Sequence, residues 1–118
     1  MSASEIVTRE EGTEIIIIGV QGYFDDVCGK NVRTALETYL RKGVVKIILD
    51  VGGAKNINSL GVASVLKMVL LVLDNYKGRF LITGLNSLKK SVFELTGVIP
   101  LAEVVETVDD GIKQLKAG

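Results

Sequence analysis

Ser59 is the residue of this 118-residue chain best placed to do chemistry. It follows an apolar strand pattern, Lys46-Ile47-Ile48-Leu49-Asp50, and a polar stretch from Gly52 to Asn58, and it opens an apolar helix pattern, Ser59-Leu60-Gly61-Val62-Ala63-Ser64-Val65-Leu66. A hydroxyl at a helix start meets free backbone N–H groups and the positive end of the helix dipole, surroundings that accept a phosphate. The stretch therefore reads as a candidate switch. The same position also suits an ordinary capping serine, worth ~1 kcal/mol, and spacing alone favours that reading. Asp25 and Asp26 precede another helix pattern; Asp26 is the expected cap, and Asp25 is expected close to Ser59. Gly52, Gly53 and Gly61 supply turns and close packing, and their spacing matches neither a P-loop nor a dinucleotide fingerprint.

Other chemistry lacks its residues. With no His and a single Cys28, the chain can assemble neither the usual zinc sites nor an internal disulfide. Cys28 has only Lys30 as a basic neighbour and reads as a small apolar residue. No pair of carboxylates is spaced for acid–base work, so no enzyme activity, catalytic residue, metal or cofactor is expected. Fourteen basic and fourteen acidic residues cancel, which removes the cationic excess that would point to nucleic acid or an anionic membrane. Glu5, Arg9, Glu10, Glu11 and Glu14 exclude a secretory signal. The apolar run Met68 to Leu73 is far short of the ~20 residues of a membrane span, and a reducing cytoplasm is the expected location.

The elements that must position Ser59 follow from hydrophobic periodicity, and 118 residues with 47% hydrophobic content suit one domain, 1–118, with its own core. Glu5 to Arg9 is expected as an edge strand, turning at Glu11-Gly12-Thr13 into a buried strand from Glu14 to Val20. A helix from Asp25 or Asp26 to Gly43 presents Val27, Val32, Ala35, Leu36, Tyr39 and Leu40 on one face. Val44 to Leu49 is apolar throughout and suits a central strand, and the helix from Leu60 to Leu73 is apolar almost all round. Arg79 to Thr83 is a fourth strand, Ser87 caps a helix through Val92, Phe93 and Leu95, and Glu103 to Thr107 and Asp109 to Lys116 close the chain as strand and helix. The order is ββαβαβαβα, an α/β fold with a mixed, largely parallel sheet and packed helices. Functional loops of such sheets gather at the carboxyl ends of parallel strands, here Gln21–Asp26, Asp50–Ser59 and Gly84–Ser87.

On these residues the chain resembles the STAS domains, and among them the anti-sigma factor antagonists of bacteria, along essentially its whole length. Leu49-Asp50 with Ile57-Asn58-Ser59-Leu60-Gly61-Val62 looks like the family's aliphatic-Asp-Ser-Ser-Gly-aliphatic segment; Gly22-Tyr23-Phe24-Asp25 is similar to its Gly-x-Leu-Asp turn, and Val92-Phe93-Glu94-Leu95-Thr96-Gly97 to its late Leu-Phe-x-x-(Ser/Thr)-Gly ending. The resemblance implies a regulator that binds an anti-sigma factor with serine kinase activity, is phosphorylated on Ser59, and is reset by a serine phosphatase. Asp25, Asn58, Ser59, Leu60 and Gly61 are then the implied partner-facing residues. Asn58 stands where the family has aspartate and Leu60 where it has a second serine.

Two other readings remain. A STAS module that is never phosphorylated, serving as scaffold or subunit of a signalling assembly, fits the departures at Asn58 and Leu60. A receiver-like aspartate acceptor is suggested by Asp25, Asp26, Asp50 and Thr83, but one helix rather than two separates the acidic pair from Asp50, and no lysine ends the last strand.

Overall fold

Three unbroken apolar runs, Ile15–Ile18, Ile47–Leu49 and Phe80–Ile82, are buried on both sides, because each lies in a strand with helices against both faces. The structure, a computed structural model, describes residues 4–118. Strands β1 (Ser4–Glu11), β2 (Ile15–Phe24), β3 (Lys46–Ile57), β4 (Arg79–Thr83) and β5 (Glu103–Val104) form one sheet in the order β1-β2-β3-β4-β5. The β1–β2 pair is antiparallel and the rest are parallel. Helices α1 (Asp26–Arg41), α2 (Ser59–Leu70), α3 (Ser87–Leu95), the four-residue α4 (Val98–Leu101) and α5 (Val108–Ala117) complete the chain.

Strand alternation divides the core. Ile16, Ile18, Val20, Ile47, Leu49, Phe80 and Ile82 join the larger cluster, with Val32, Leu36 and Leu40 of α1 and Val65, Met68 and Val69 of α2. Ile15, Ile17, Ile48 and Leu81 point the other way, onto Leu115 of α5. Each fully buried aliphatic or aromatic side chain contributes about 1.5–3 kcal/mol, so the two-sided burial of the three central strands dominates the stabilisation.

The expected order holds, with corrections at the element ends. Strand β2 does not stop at Val20 but continues to Phe24, through register shifts at Gly19/Gln21 and Gly22/Tyr23. Strand β3 does not end at Leu49; the polar stretch expected as a loop is strand to Ile57, because β2 continues beside it. Asp25, not Asp26, caps α1, its carboxylate accepting from the Cys28 N–H at 2.9 Å. Val27 is 58% exposed, outside the core it was expected to join, while Cys28 takes the buried position. Helix α2 passes at Leu71 into a π-helical turn that ends at Asn75. Asn86, not Ser87, caps α3. Helix α4, unforeseen, is interrupted at Ile99, and β5 keeps two of the five residues expected.

Candidate functional site

Beyond Asp50 and Thr83 strand β3 loses β4, and Gly53–Ile57 and Gln21–Phe24 continue as a ribbon past it, with β1 still paired to β2 as far as Gly22. The two loops expected to face one another are in fact hydrogen-bonded neighbours, with Phe24 opposite Ile57. At the ribbon's end each strand turns into a helix. The Asn58 N–H donates to the Phe24 carbonyl at 3.2 Å, which places Asp25 and Ser59 one residue to either side of a shared bond.

Both turns are closed by short polar side chains. Asn58 Oδ1 accepts from the Gly61 N–H at 2.9 Å, and the Asn58 carbonyl accepts from Val62 N–H at 3.0 Å. Asn58, rather than Ser59, is thus the cap of α2, and Ser59 is its first helical residue, with its side chain free of the capping duty. Gly61 is required by contact: a Cβ there would land on the Phe24 carbonyl. Ser59, Asn58 and Leu60 are exposed, Gly61 is buried and Asp25 is half-buried. Leu60 is 55% exposed, and Tyr23 and Val27 carry similar exposure on the α1 side of the same rim. The rim therefore joins a hydroxyl at a helix N-terminus to exposed apolar side chains.

An apolar groove of about 320 Å³ starts at Ser59 and runs between α2 and α3, lined by Ile57, Val62, Ala63, Leu66, Val92 and Thr96. A second concavity continues it towards the start of α3, where Lys55 and Lys89 are the charged lining residues. Lys89 Nζ donates to the Val51 carbonyl at 3.0 Å and ties α3 to the ribbon. Sequence reasoning missed this contact, since nothing in the spacing of residues 51 and 89 announces it.

Other candidates are structural. The Asp50 carboxylate accepts from the Gly52 N–H at 2.9 Å and pairs in register with Gly19, roughly 20 Å of strand from Asp25. The acidic pair and Asp50 do not converge as a receiver's acceptor site requires. Burial raises the Cys28 thiol pKa above its usual value, a Ser4 hydrogen bond opposes the shift, and Asp25 adds to it; the thiol is held protonated. Among the described residues no group of three His, Cys, Asp or Glu could hold a metal ion, and no helix is long and apolar enough to cross a membrane.

No family model and no curated protein matches the sequence. Solved structures do match. The chain is similar to the anti-sigma factor antagonist SpoIIAA in its unphosphorylated form, with a TM-score of 0.82 and 20% identity over 97% of this chain and 98% of that one. It is similar also to the Bacillus cell fate determinant SpoIIAA in the phosphorylated form, at TM-score 0.75 and 20% identity, covering 94% and 99% of the two chains. An anti-sigma factor antagonist from Mycobacterium paratuberculosis matches at TM-score 0.79 and 15% identity, over 97% and 95%. The fold is the SpoIIAA-like STAS fold, as the sequence motifs implied, and at these identities the likeness is one of fold.

Proposed function

We propose that this chain is an anti-sigma factor antagonist, a cytoplasmic domain that binds an anti-sigma factor with serine kinase activity and is released when that kinase phosphorylates Ser59. The carrying observation is the placement of Ser59: exposed, first in α2, relieved of capping by Asn58, and set on a rim with Asp25 and Leu60. Solved structures of this fold at both ends of such a cycle, unphosphorylated and phosphorylated SpoIIAA, support the reading.

The chain's own residues would act as follows. The Ser59 hydroxyl is presented beyond the ribbon, where a kinase cleft can close over it. A phosphate there adds about −1.5 to −2 charge beside the N–H groups of the first turn, so the fold tolerates it and the change falls on the partner contact. Asn58 keeps the turn closed in either state, because its amide oxygen, not the serine, holds the Gly61 N–H. A serine phosphatase would restore the binding form.

The test is capture of the anti-sigma factor from the native cytoplasm with the wild-type chain, Ser59→Ala and Ser59→Asp, with mass spectrometry of Ser59. Retention by wild type and Ser59→Ala, loss with Ser59→Asp, and phosphate on Ser59 are expected. Equal retention by Ser59→Ala and Ser59→Asp, with no phosphate on Ser59, would replace this reading by that of a scaffold that is never phosphorylated.

A further inference from the structure

We infer that the groove between α2 and α3 receives an amphipathic helix of the partner protein, one that carries carboxylates beside its apolar face. The site rests on an apolar stripe of each helix, and the two stripes meet across the groove at Ala63, Leu66 and Val92. On α2, Ala63, Leu66 and Leu70 recur at helical spacing; Ala63 is exposed, Leu66 half-buried and Leu70 39% exposed. On α3, Leu88, Val92 and Leu95 do the same, with Leu88 74% and Leu95 88% exposed. Phe93 is fully buried and Val92 packs partly against the core, so Leu88 and Leu95 are the part of the stripe surplus to the chain's own core. No charged residue lines the groove itself, from Ile57 to Thr96. A nine-residue helix is roughly 14 Å long, room for between two and three turns of an occupant.

Charge selects the occupant. Lys55 and Lys89 are the charged residues of the adjoining concavity, and no carboxylate lines either hollow. Helix α3 begins at this concavity, with its cap Asn86 in the lining, and has no acidic residue in its first turn, whereas α1 has Asp26 and α5 has Asp109 and Asp110. One uncompensated helix N-terminus and two lysines make that end of the apolar groove electropositive. An apolar helix with carboxylates at that end is complementary, and a basic one is opposed. In a two-fold dimer through this face, the groove would meet a second copy's same electropositive surface, which is not complementary.

The inference deepens the proposed switch, and rests on it, only in assigning the effect of a phosphate. Ser59 lines the groove, so a phosphate there sets negative charge along it and repels the occupant's carboxylates.

The test uses two helix-stabilised peptides about four turns long with the same apolar spacing, one carrying glutamates and the other lysines beside the stripe, titrated into the full chain by calorimetry. The glutamate peptide is expected to bind at least about tenfold tighter than the lysine peptide, and Leu88→Ser with Leu95→Ser to weaken it by a similar factor. Lys55→Glu should narrow the preference. No binding of the glutamate peptide, equal binding of both, or indifference to the Leu88 and Leu95 changes would overturn the site. Sedimentation of the chain alone as a dimer that Leu95→Ser dissolves would hand the groove to a second copy and overturn it likewise. Ser59→Asp is expected to weaken the glutamate peptide; unchanged binding there sinks the switch and leaves the groove's preference standing.

Discussion

At Gly61 the side chain is absent because the Phe24 carbonyl already occupies the space a Cβ would need. The carbonyl belongs to backbone and is engaged by the Asn58 N–H, so it cannot yield cheaply. Gly61→Ala is therefore expected to destabilise the fold by more than ~2 kcal/mol in urea titrations, against the gain of under ~1 kcal/mol that Gly→Ala gives within an unobstructed helix. Cys28 makes the second residue-scale case. Burial raises its pKa, so the native state holds the proton more tightly than the unfolded chain does. Its contribution to stability is whole below the ordinary thiol range, about pH 8.5, and is lost as pH rises from there towards the higher native value. Unfolding midpoints between pH 8 and pH 10 should fall more steeply for wild type than for Cys28→Ala, and a thiol reagent at neutral pH should label Cys28 only after denaturation. Parallel midpoint curves for the two proteins would contradict this.

At the scale of elements, the ribbon that carries Asn58 and Ser59 is edged by β1 as far as Gly22, packs Phe24 and Ala54 into the core, and is tied to α3 by one hydrogen bond from Lys89. Strand β3 has β4 beside it only as far as Asp50, and the Lys89 ammonium on the Val51 carbonyl is the tie just beyond that point. Lys89→Met keeps most of the side chain's apolar stem and removes the bond. Expected are a loss of about 1–2 kcal/mol and faster amide exchange confined to residues 51–57, read by hydrogen-exchange mass spectrometry. Exchange that rises uniformly across β2, β3 and β4 would mean that Lys89 serves the whole sheet instead. Helix α3 thus has two duties on two sides: Lys89 and Phe93 fix it to the sheet, while Leu88 and Leu95 face outward.

For the whole molecule, the sheet and the helices over its larger face share one continuous cluster, and Phe93 is where α3 enters it. Removing that ring leaves a cavity among residues that cannot close over it, and Phe→Ala at such sites costs about 3–5 kcal/mol. Domains of this size have roughly 5–15 kcal/mol in hand, so Phe93→Ala should lower the thermal midpoint by well over ~10 °C. Leu95→Ser, on the same helix but 88% exposed, should leave it nearly unchanged. A comparable fall for both would place Leu95 in the core and remove the surplus stripe on which the groove rests.

The residue pattern by itself determined the layers and their order. Runs such as Ile15–Ile18 and Ile47–Leu49 are too apolar for a sheet with a wet face, and the helix starts were legible to within a residue, though Asp25, Asn58 and Asn86 rather than Asp26, Ser59 and Ser87 do the capping. It also singled out Ser59, because a helix start is written in neighbouring residues. Tertiary structure alone decided what depends on partners distant in sequence. Gly52 to Ile57 reads as a loop by composition and is strand because Gln21–Phe24 lies alongside it. Val27 and Leu95 fit an apolar helical face by periodicity, yet they stay exposed, with none of the described residues covering them. Periodicity states which side chains share a face; only the packed chain states which faces find a neighbour.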